Sequence, residues 1–209
     1  MGKFIAFDGP NGSGKSTIIK AVQEKLNTYA IDTYLTSEPT NSELGFFTRR
    51  VSEFIDKESL ACLVAADRYN HIANEILPEL KKNKIVLSDR YFVSSLLLQR
   101  LDGVDIDFIM DLHKRIELPD LYCVTYADST TIVQRLKKRN RYTRFETEQN
   151  VKLELLYLQE AIEIIKNMGI NVIEINTKED IGKNVKLIVD KILCLIHYKA
   201  RIKEIPQQP

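Results

Sequence analysis

The stretch that decides the fold reads "GPNGSGKS" and runs from Gly9 to Ser16. It follows an apolar run at residues 4–7 and precedes a run of helix-forming character at residues 17–22. Its spacing satisfies the phosphate-loop pattern G-x-x-x-x-G-K-[ST], which joins a buried strand to a helix. Glycines let successive backbone N–H groups turn towards bound phosphates, and the helix N-terminus adds a partial positive charge. The stretch therefore predicts a site for a nucleoside triphosphate.

Within this loop, two side chains have predicted chemical roles. Lys15 reaches the outer phosphates as a point charge, and the Ser16 hydroxyl is placed to ligate Mg²⁺. A nucleoside triphosphate and Mg²⁺ are therefore the expected ligands, and the family resemblance given below specifies ATP. The whole nucleotide-binding segment comprises Gly9, Pro10, Asn11, Gly12, Ser13, Gly14, Lys15, Ser16 and Thr17.

Short apolar runs and helical periodicity alternate along the whole chain. Strand patterns lie at residues 3–8, 31–37, 85–88, 121–126 and 171–175, with helix-period segments between them. This alternation predicts an α/β fold of three layers, in which a five-stranded parallel sheet carries helices on both faces. We expect one domain over residues 1–209, with its site at the carboxyl ends of the strands.

Composition excludes several classes of protein. The 30 Lys+Arg residues against 29 Asp+Glu residues leave a formal charge of +1, which argues against a nucleic-acid partner. No apolar run approaches the roughly 20 residues of a membrane span, and the chain enters a strand pattern at once, so a cytoplasmic protein without a membrane partner is expected. The three cysteines are far apart and are interpreted as reduced core thiols.

The segment "KIVLSDRY" places an acidic and a basic residue at the end of the third strand. Asp89 is suited to hold the Mg²⁺ shell, and Arg90 is suited to clamp a second anion. A lone Asp-Arg pair is more often a surface ion pair. The position of this pair after a buried strand of a phosphate-loop protein favours a role in the binding site instead.

A basic run, "LKKRNRYTRFE", extends from Leu136 to Glu146. A charge run is usually a solvated face. The phosphate loop contains no arginine, however, and an arginine over the transferring group is worth about 10³ to 10⁵ in rate. We expect a lid at about residues 137–148 in which Arg141 and Arg144 act catalytically.

Together these segments resemble the thymidylate kinase family over nearly the whole chain. "FIAFDGPNGSGKST", "TSEPTNSELG", "AADRYNH", "SDRYFVSSLLLQ", "PDLYCVTYAD" and "RYTRFETE" are similar, in order and spacing, to that family's motifs. The resemblance implies a five-stranded kinase core, a homodimer, and transfer of the ATP γ-phosphoryl group to a nucleoside monophosphate. An arginine-poor phosphate loop with a basic lid is similar to the bacterial subtype.

Further site residues follow from this resemblance alone. It implies that Arg49, Arg68 and Arg90 hold the acceptor phosphate, that Ser95 and Gln99 face the base or sugar, and that Glu38 lies near the acceptor and the metal.

The chain departs from the family pattern on the acceptor side. Asn11 stands where an acidic residue is usual, Val64 where a phenylalanine stacks on thymine, and Ser37 where arginine is common. With dTMP as the favoured acceptor, these changes predict weak dTMP binding or acceptance of other deoxynucleoside monophosphates.

Other functions stay open on the sequence. One alternative is a deoxynucleoside kinase in which Glu38 acts as the base, another is a kinase of a different deoxynucleoside monophosphate, and a third is a regulatory module that binds nucleotide without catalysis. His71, His113 and His197 lack metal-ligand spacing and are assigned structural or surface roles.

Overall fold

A five-stranded, all-parallel sheet forms the centre of the structure, a computed structural model that describes residues 2–138 and 145–203. The strands are β1 (Lys3–Asp8), β2 (Thr33–Ser37), β3 (Ile85–Asp89), β4 (Leu121–Tyr126) and β5 (Val172–Asn176). Their order across the sheet is β2-β3-β1-β4-β5. The predicted α/β fold is confirmed, and each predicted strand lies within two residues of an observed one.

The helices connect these strands. They are α1 (Lys15–Thr28), α2 (Glu43–Val51), α3 (Lys57–His71), α4 (Leu77–Lys81), α5 (Phe92–Leu101), α6 (Ile106–His113), α7 (Ser129–Lys137), α8 (Glu148–Asn167) and α9 (Ile181–Lys203), with a π-helical turn over Ile72–Ile76 between α3 and α4. The predicted catalytic residues Arg141 and Arg144, and Arg139 beside them, lie outside the described residues.

The sheet is buried on both faces because its strands are apolar at successive positions. In β1, Phe4 and Ala6 pack in one core cluster with residues of α5 and α8, whereas Ile5 and Phe7 pack in the other with residues of α1 and α9. Side chains alternate across a strand, so a strand buried on both faces reads as one continuous apolar run. Helices therefore cover both faces, as predicted.

Polar side chains begin where the central strands end. β1 ends at Asp8, and β3 pairs with it so that Asp89 lies opposite Phe7. β2 ends at Ser37, which also lies opposite Asp89. The carboxyl ends of three strands therefore meet at one edge, with the phosphate loop directly after β1.

The cysteine prediction is correct at only one of three positions. Cys123 lies buried in β4, whereas Cys62 and Cys194 are exposed. Both exposed cysteines lie on helices, whose outer faces are solvated even where the neighbouring positions are apolar. No helix within the described residues is both long and apolar enough to cross a membrane.

Candidate active site

The phosphate loop follows β1 in a backbone conformation that suits glycine. Gly9, Gly12 and Gly14 have φ of 138°, 78° and 98°, the left-handed region that L side chains rarely adopt. A Cβ on Gly9 would also lie 2.1 Å from the Thr125 carbonyl oxygen of β4. The Ser13 hydroxyl is hydrogen-bonded to that of Thr125 at 2.7 Å, so the loop is fixed against the sheet.

Lys15 opens α1 and folds back over the loop. Its Nζ donates to the carbonyl oxygens of Gly9 and Pro10 at 2.7 and 2.9 Å, and the residue is 7% exposed. Burial lowers the pKa of this ammonium to about 7, and the charge of Arg90 adds to that shift. The two carbonyl oxygens offer the Lys15 ammonium only dipoles. A bound phosphate group would offer it a full negative charge.

The predicted metal residues are adjacent. The Ser16 hydroxyl donates to Oδ2 of Asp89 at 2.8 Å. A hydroxyl and a carboxylate are hard oxygen donors, and Mg²⁺ is bound in phosphoryl-transfer sites by one or two such groups together with substrate phosphates. These two residues therefore fit Mg²⁺.

Arg90 occupies a strained position between the loop and α5. Its φ is 76°, its backbone N–H donates to the Phe7 carbonyl at 2.8 Å, and its guanidinium donates to the side chains of Asn11 and Ser94. A non-glycine residue in this region costs of order 1–3 kcal/mol and is often found at functional sites. In this conformation the guanidinium lies against the phosphate loop at Asn11.

A short part of α3 holds the segment after β2. Asp67 accepts hydrogen bonds from the backbone N–H and the hydroxyl of Thr40, at 2.7 and 2.6 Å. Arg68 is 1% exposed and donates to Glu38, to the Ser95 hydroxyl and to the Tyr91 carbonyl. The helix thereby fixes both the Glu38–Thr40 segment and the start of α5.

Glu38 lies between two buried partners. Its Oε2 is 2.7 Å from Nη2 of Arg68, and its Oε1 is 3.1 Å from Nδ1 of His71. Burial raises the pKa of Glu38, but the charge of Arg68 and the hydrogen bond of His71 outweigh it, so the net shift is downwards. Glu38 is therefore held as a carboxylate.

Two adjoining cavities open at this edge of the sheet. The donor cavity, about 290 Å³, is polar and includes Lys15, Ser16 and Asp89 in its lining. The acceptor cavity, about 260 Å³, contains an apolar wall of Leu60, Val64, Leu98 and Phe145. Asn11, Glu38, Arg49 and Arg90 line both cavities. Two ligands bound side by side would thus meet at these four residues.

The structure brings the residues predicted on the acceptor side to the second cavity. Val64, Arg68, Ser95 and Gln99 all line it together with the four shared residues. Gln99 is 4% exposed, and its Oε1 is buried without a hydrogen-bond partner within the described part of the chain. Ser37 lines the donor cavity instead.

Several residues at the site were missed by sequence reasoning. His71, assigned a structural or surface role, is fully buried against Glu38 and also hydrogen-bonded to Thr36. Arg135 of α7 donates to Thr177 at 2.8 Å and lies 3.4 Å from the Gly12 carbonyl, beside the phosphate loop. Phe145 lines the acceptor cavity. The motif "AADRYNH" contained a signal for His71, since it lies one helical turn after Asp67.

The phosphate loop is joined at this edge by two oxygen ligands that fit Mg²⁺ and by a second cavity that shares basic residues with the first. These features are typical of a phosphate-loop kinase that phosphorylates a small acceptor. Comparison with known families agrees, because the family model described as thymidylate kinase matches residues 7–188. The chain belongs to the thymidylate kinase family and is a nucleoside monophosphate kinase. ATP-dependent phosphorylation of dTMP to dTDP is the activity that this membership supports.

Individual relatives are similar over almost the full chain. A probable thymidylate kinase of Caldivirga maquilingensis is 32% identical over 96% of each chain. The thymidylate kinase of Caldicellulosiruptor saccharolyticus is 32% identical over 92% of this chain and 98% of its own. A probable thymidylate kinase of Methanococcus aeolicus is 34% identical over 93% of this chain and all of its own.

The buried Glu38 carboxylate predicts a pH-dependent stability. The pKa of Glu38 in the folded protein lies below its ordinary value of 4.5. The Glu38 carboxylate therefore stabilises the folded state fully above about pH 4.5, and this stabilisation is lost as the pH falls through the folded pKa. Glu38→Gln should lower the free energy of unfolding by about 3–5 kcal/mol at pH 7, since it leaves Arg68 buried and unpaired. Urea unfolding from pH 7 down to pH 3 should show this difference shrinking below about pH 4.5. The control Glu163→Gln, at an exposed position, should change the free energy of unfolding little at any pH. If the difference between wild type and Glu38→Gln were as large at pH 3 as at pH 7, the lowered pKa of Glu38 would be contradicted.

Proposed function

We propose that this protein transfers the γ-phosphoryl group of ATP to dTMP, with ATP in the donor cavity and dTMP in the acceptor cavity. The observation that carries the proposal is the wall of four residues shared by the two cavities. Phosphoryl transfer needs the donor phosphorus and the acceptor oxygen in line and about 3–3.5 Å apart. Adjoining cavities with a common basic wall support that arrangement.

On the donor side, the loop residues Gly9–Thr17 hold the ATP phosphates through backbone N–H groups and Lys15. The ammonium of Lys15 exchanges the carbonyl oxygens of Gly9 and Pro10 for phosphate oxygens. Ser16 and Asp89 would hold Mg²⁺. When bound, this ion neutralises charge on the phosphates and orients them.

On the acceptor side, Arg90 and Arg49 bind the monophosphate of dTMP, and Arg68 contributes positive charge from behind Glu38. The thymine base occupies the apolar wall. Oε1 of Gln99, which has no hydrogen-bond partner among the described residues, accepts the imide N–H of the base, while Ser95 borders the sugar. Buried polar atoms without partners cost free energy, so a ligand donor at Gln99 offsets that cost.

The deoxynucleoside kinase alternative is disfavoured by the state of Glu38. A general base must take a proton from the acceptor hydroxyl, and it does so best with a pKa near the working pH. Glu38 has a lowered pKa and both oxygens engaged by Arg68 and His71. It is thus a weak base, whereas a monophosphate acceptor is already ionised and needs none.

Three parts of the proposal rest on the sequence alone. Arg141 and Arg144 supply positive charge over the transferring group in the transition state. The homodimer follows from the family resemblance, and the cytoplasmic location stays an expectation drawn from the sequence pattern.

Lys15 provides the direct test of the donor site. Lys15→Ala should reduce kcat for ADP formation from ATP and dTMP at least a hundredfold, because preorganised charge at developing negative charge is worth about 2.7–4 kcal/mol. The circular dichroism spectrum should stay unchanged. Lys25→Ala, which removes an exposed lysine from the same helix, is the control. Turnover within a few fold of wild type would remove Lys15 from the mechanism.

The lid arginines should act in the transition state. Arg141→Ala with Arg144→Ala is expected to lower kcat about 10³-fold while the Kd values for ATP and dTMP change only a few fold. Kinetics and calorimetric binding on the same preparation measure the two effects. Lys114→Ala with Arg115→Ala removes two positive charges elsewhere and controls for net charge. If the lid double variant kept a near-normal kcat, the basic run would be a solvated face without a role in catalysis.

Val64 sets the prediction for the base. Val64→Phe adds an aromatic ring to the apolar wall, where stacking on a base is worth about 1–3 kcal/mol, and the larger side chain leaves less room for a purine than for thymine. We expect kcat/KM for dTMP to rise about tenfold relative to dGMP and dAMP. Cys62→Phe, on an exposed position of the same helix, should leave the ratio unchanged. An unchanged ratio in Val64→Phe would mean that other residues already complete the base pocket.

A further inference from the structure

His71 of α3 is a buried histidine to which the proposed mechanism assigns no role. Its Nδ1 lies 3.1 Å from Oε1 of Glu38, and its Nε2 lies 2.7 Å from the Thr36 hydroxyl. Glu38 is a carboxylate and can only accept hydrogen bonds, so Nδ1 carries the hydrogen and donates it. The imidazole therefore binds one of the two oxygens that Glu38 presents at the wall shared by the cavities.

The two oxygens of Glu38 have separate partners. Nε and Nη2 of Arg68 both contact Oε2, at 2.8 and 2.7 Å. The same guanidinium also donates to the Ser95 hydroxyl and the Tyr91 carbonyl, which fixes it on that side of Glu38. Within the described part of the chain, His71 is the only partner of Oε1. Loss of the imidazole would therefore release this oxygen to turn towards another cation.

Two other cations lie in the same wall as Glu38. Arg49 and Arg90 line both cavities together with it, and their guanidiniums donate to neutral oxygen atoms. These atoms belong to the Pro39 carbonyl for Arg49, and to the Asn11 amide and the Ser94 hydroxyl for Arg90. A carboxylate is a stronger partner for a guanidinium than a neutral oxygen. A released Glu38 would therefore compete with an acceptor phosphate for both arginines.

His71 is itself held from the side of β2. The Thr36 hydroxyl that contacts its Nε2 lies 2.9 Å from Oε2 of Glu75, which also accepts from the Tyr34 hydroxyl at 3.0 Å. Glu75 belongs to the π-helical turn that follows α3, and such turns are frequent at functional sites. The imidazole cannot move away from Glu38 without breaking its contact with β2.

We propose that His71 is a positioning residue for the acceptor phosphate. By holding Oε1 of Glu38, it keeps this carboxylate on Arg68 and leaves Arg49 and Arg90 available to the phosphate. His71 is not among the described residues that line either cavity, so it acts through Glu38. This inference rests on the proposed function, because the two arginines have to receive a monophosphate for their availability to matter.

The test compares a variant that removes the donor with one that restores it. His71→Leu removes both contacts of the imidazole, whereas the side-chain amide of His71→Asn keeps an N–H near the position of Nδ1. We expect Kd for dTMP to rise at least tenfold in His71→Leu and to stay within about threefold of wild type in His71→Asn. Kd for ATP should change less than about threefold in both, because Lys15 and the phosphate loop hold its phosphates. Titration calorimetry measures these constants.

His113→Leu is the matched control. His113 is also a buried histidine, but its Nδ1 is hydrogen-bonded to the Ile109 carbonyl and not to Glu38. His113→Leu should leave both Kd values unchanged, whatever it does to Tm. If both His71 variants weakened dTMP and ATP binding alike, or if His71→Leu lowered Tm at a wild-type Kd for dTMP, His71 would be a structural residue and the proposal would fail.

A second pair of variants asks whether His71 acts through the charge of Glu38. The neutral amide of Glu38→Gln cannot compete with phosphate as a carboxylate does, so adding His71→Leu to it should change Kd for dTMP less than about threefold. A further tenfold weakening in this background would overturn the proposal. If Glu38→Gln does not fold, the comparison of His71→Leu with His71→Asn decides by itself.

The inference and the proposed function fail in different ways. A wild type that binds no deoxynucleoside monophosphate would contradict the proposed function. If a monophosphate other than dTMP binds most tightly, it replaces dTMP in the measurements and the comparison among the His71 variants still holds. Binding of the monophosphate by His71→Leu as tightly as by wild type would contradict the role of His71 alone.

Discussion

Backbone pairing that continues past the strand ends is the interaction on which the site depends. The N–H of Glu38 donates to the Asp89 carbonyl at 3.0 Å, and the N–H of Arg90 donates to the Phe7 carbonyl at 2.8 Å. These bonds carry the register of β2, β3 and β1 one residue beyond the sheet. They place Glu38 and Arg90 beside the phosphate loop, although the three segments are far apart in sequence. The common wall of the two cavities is a consequence of this extension.

The site contains several buried charged groups, and their burial lowers the stability of the fold. Arg68 and Glu38 form a pair with side chains 1% and 5% exposed, Asp8 is buried with its pKa raised to about 6, and Glu154 has no hydrogen-bond partner within the described residues. Replacing such groups with apolar ones is often neutral or stabilising, so their presence argues for function. The two apolar clusters on either side of the sheet provide the stability that offsets them.

Much of the fold could be predicted because local pattern and global architecture agree. The apolar run of β1 and the glycines of the loop specify strand, turn and helix N-terminus by local rules alone. The parallel sheet then places the ends of β1, β2 and β3 at one edge, which is why Asp89 and Arg90 were identifiable. Glu38 was predicted from the family resemblance alone.

What could not be predicted depends on packing between distant elements. His71 shares a helix face with Asp67, which the motif shows, but its contact with Glu38 is set by the tertiary packing of α3 and cannot be predicted from the spacing of the histidines. Arg135 reaches the phosphate loop because α7 packs beside it. Glu154 is 1% exposed although it lies on the long amphipathic helix α8. Charged residues on amphipathic helices are normally solvated, so the sequence alone favours a surface role for both.

The central claim is that the second cavity receives a nucleoside monophosphate and not a free nucleoside. The most direct measurement is ADP release from ATP and Mg²⁺ with dTMP, thymidine and the other deoxynucleoside monophosphates as acceptors, each followed to a defined phosphorylated product. The arginines of the shared wall and the ion-paired Glu38 predict turnover with dTMP to dTDP and none above background with thymidine. Faster phosphorylation of thymidine than of dTMP would contradict this account.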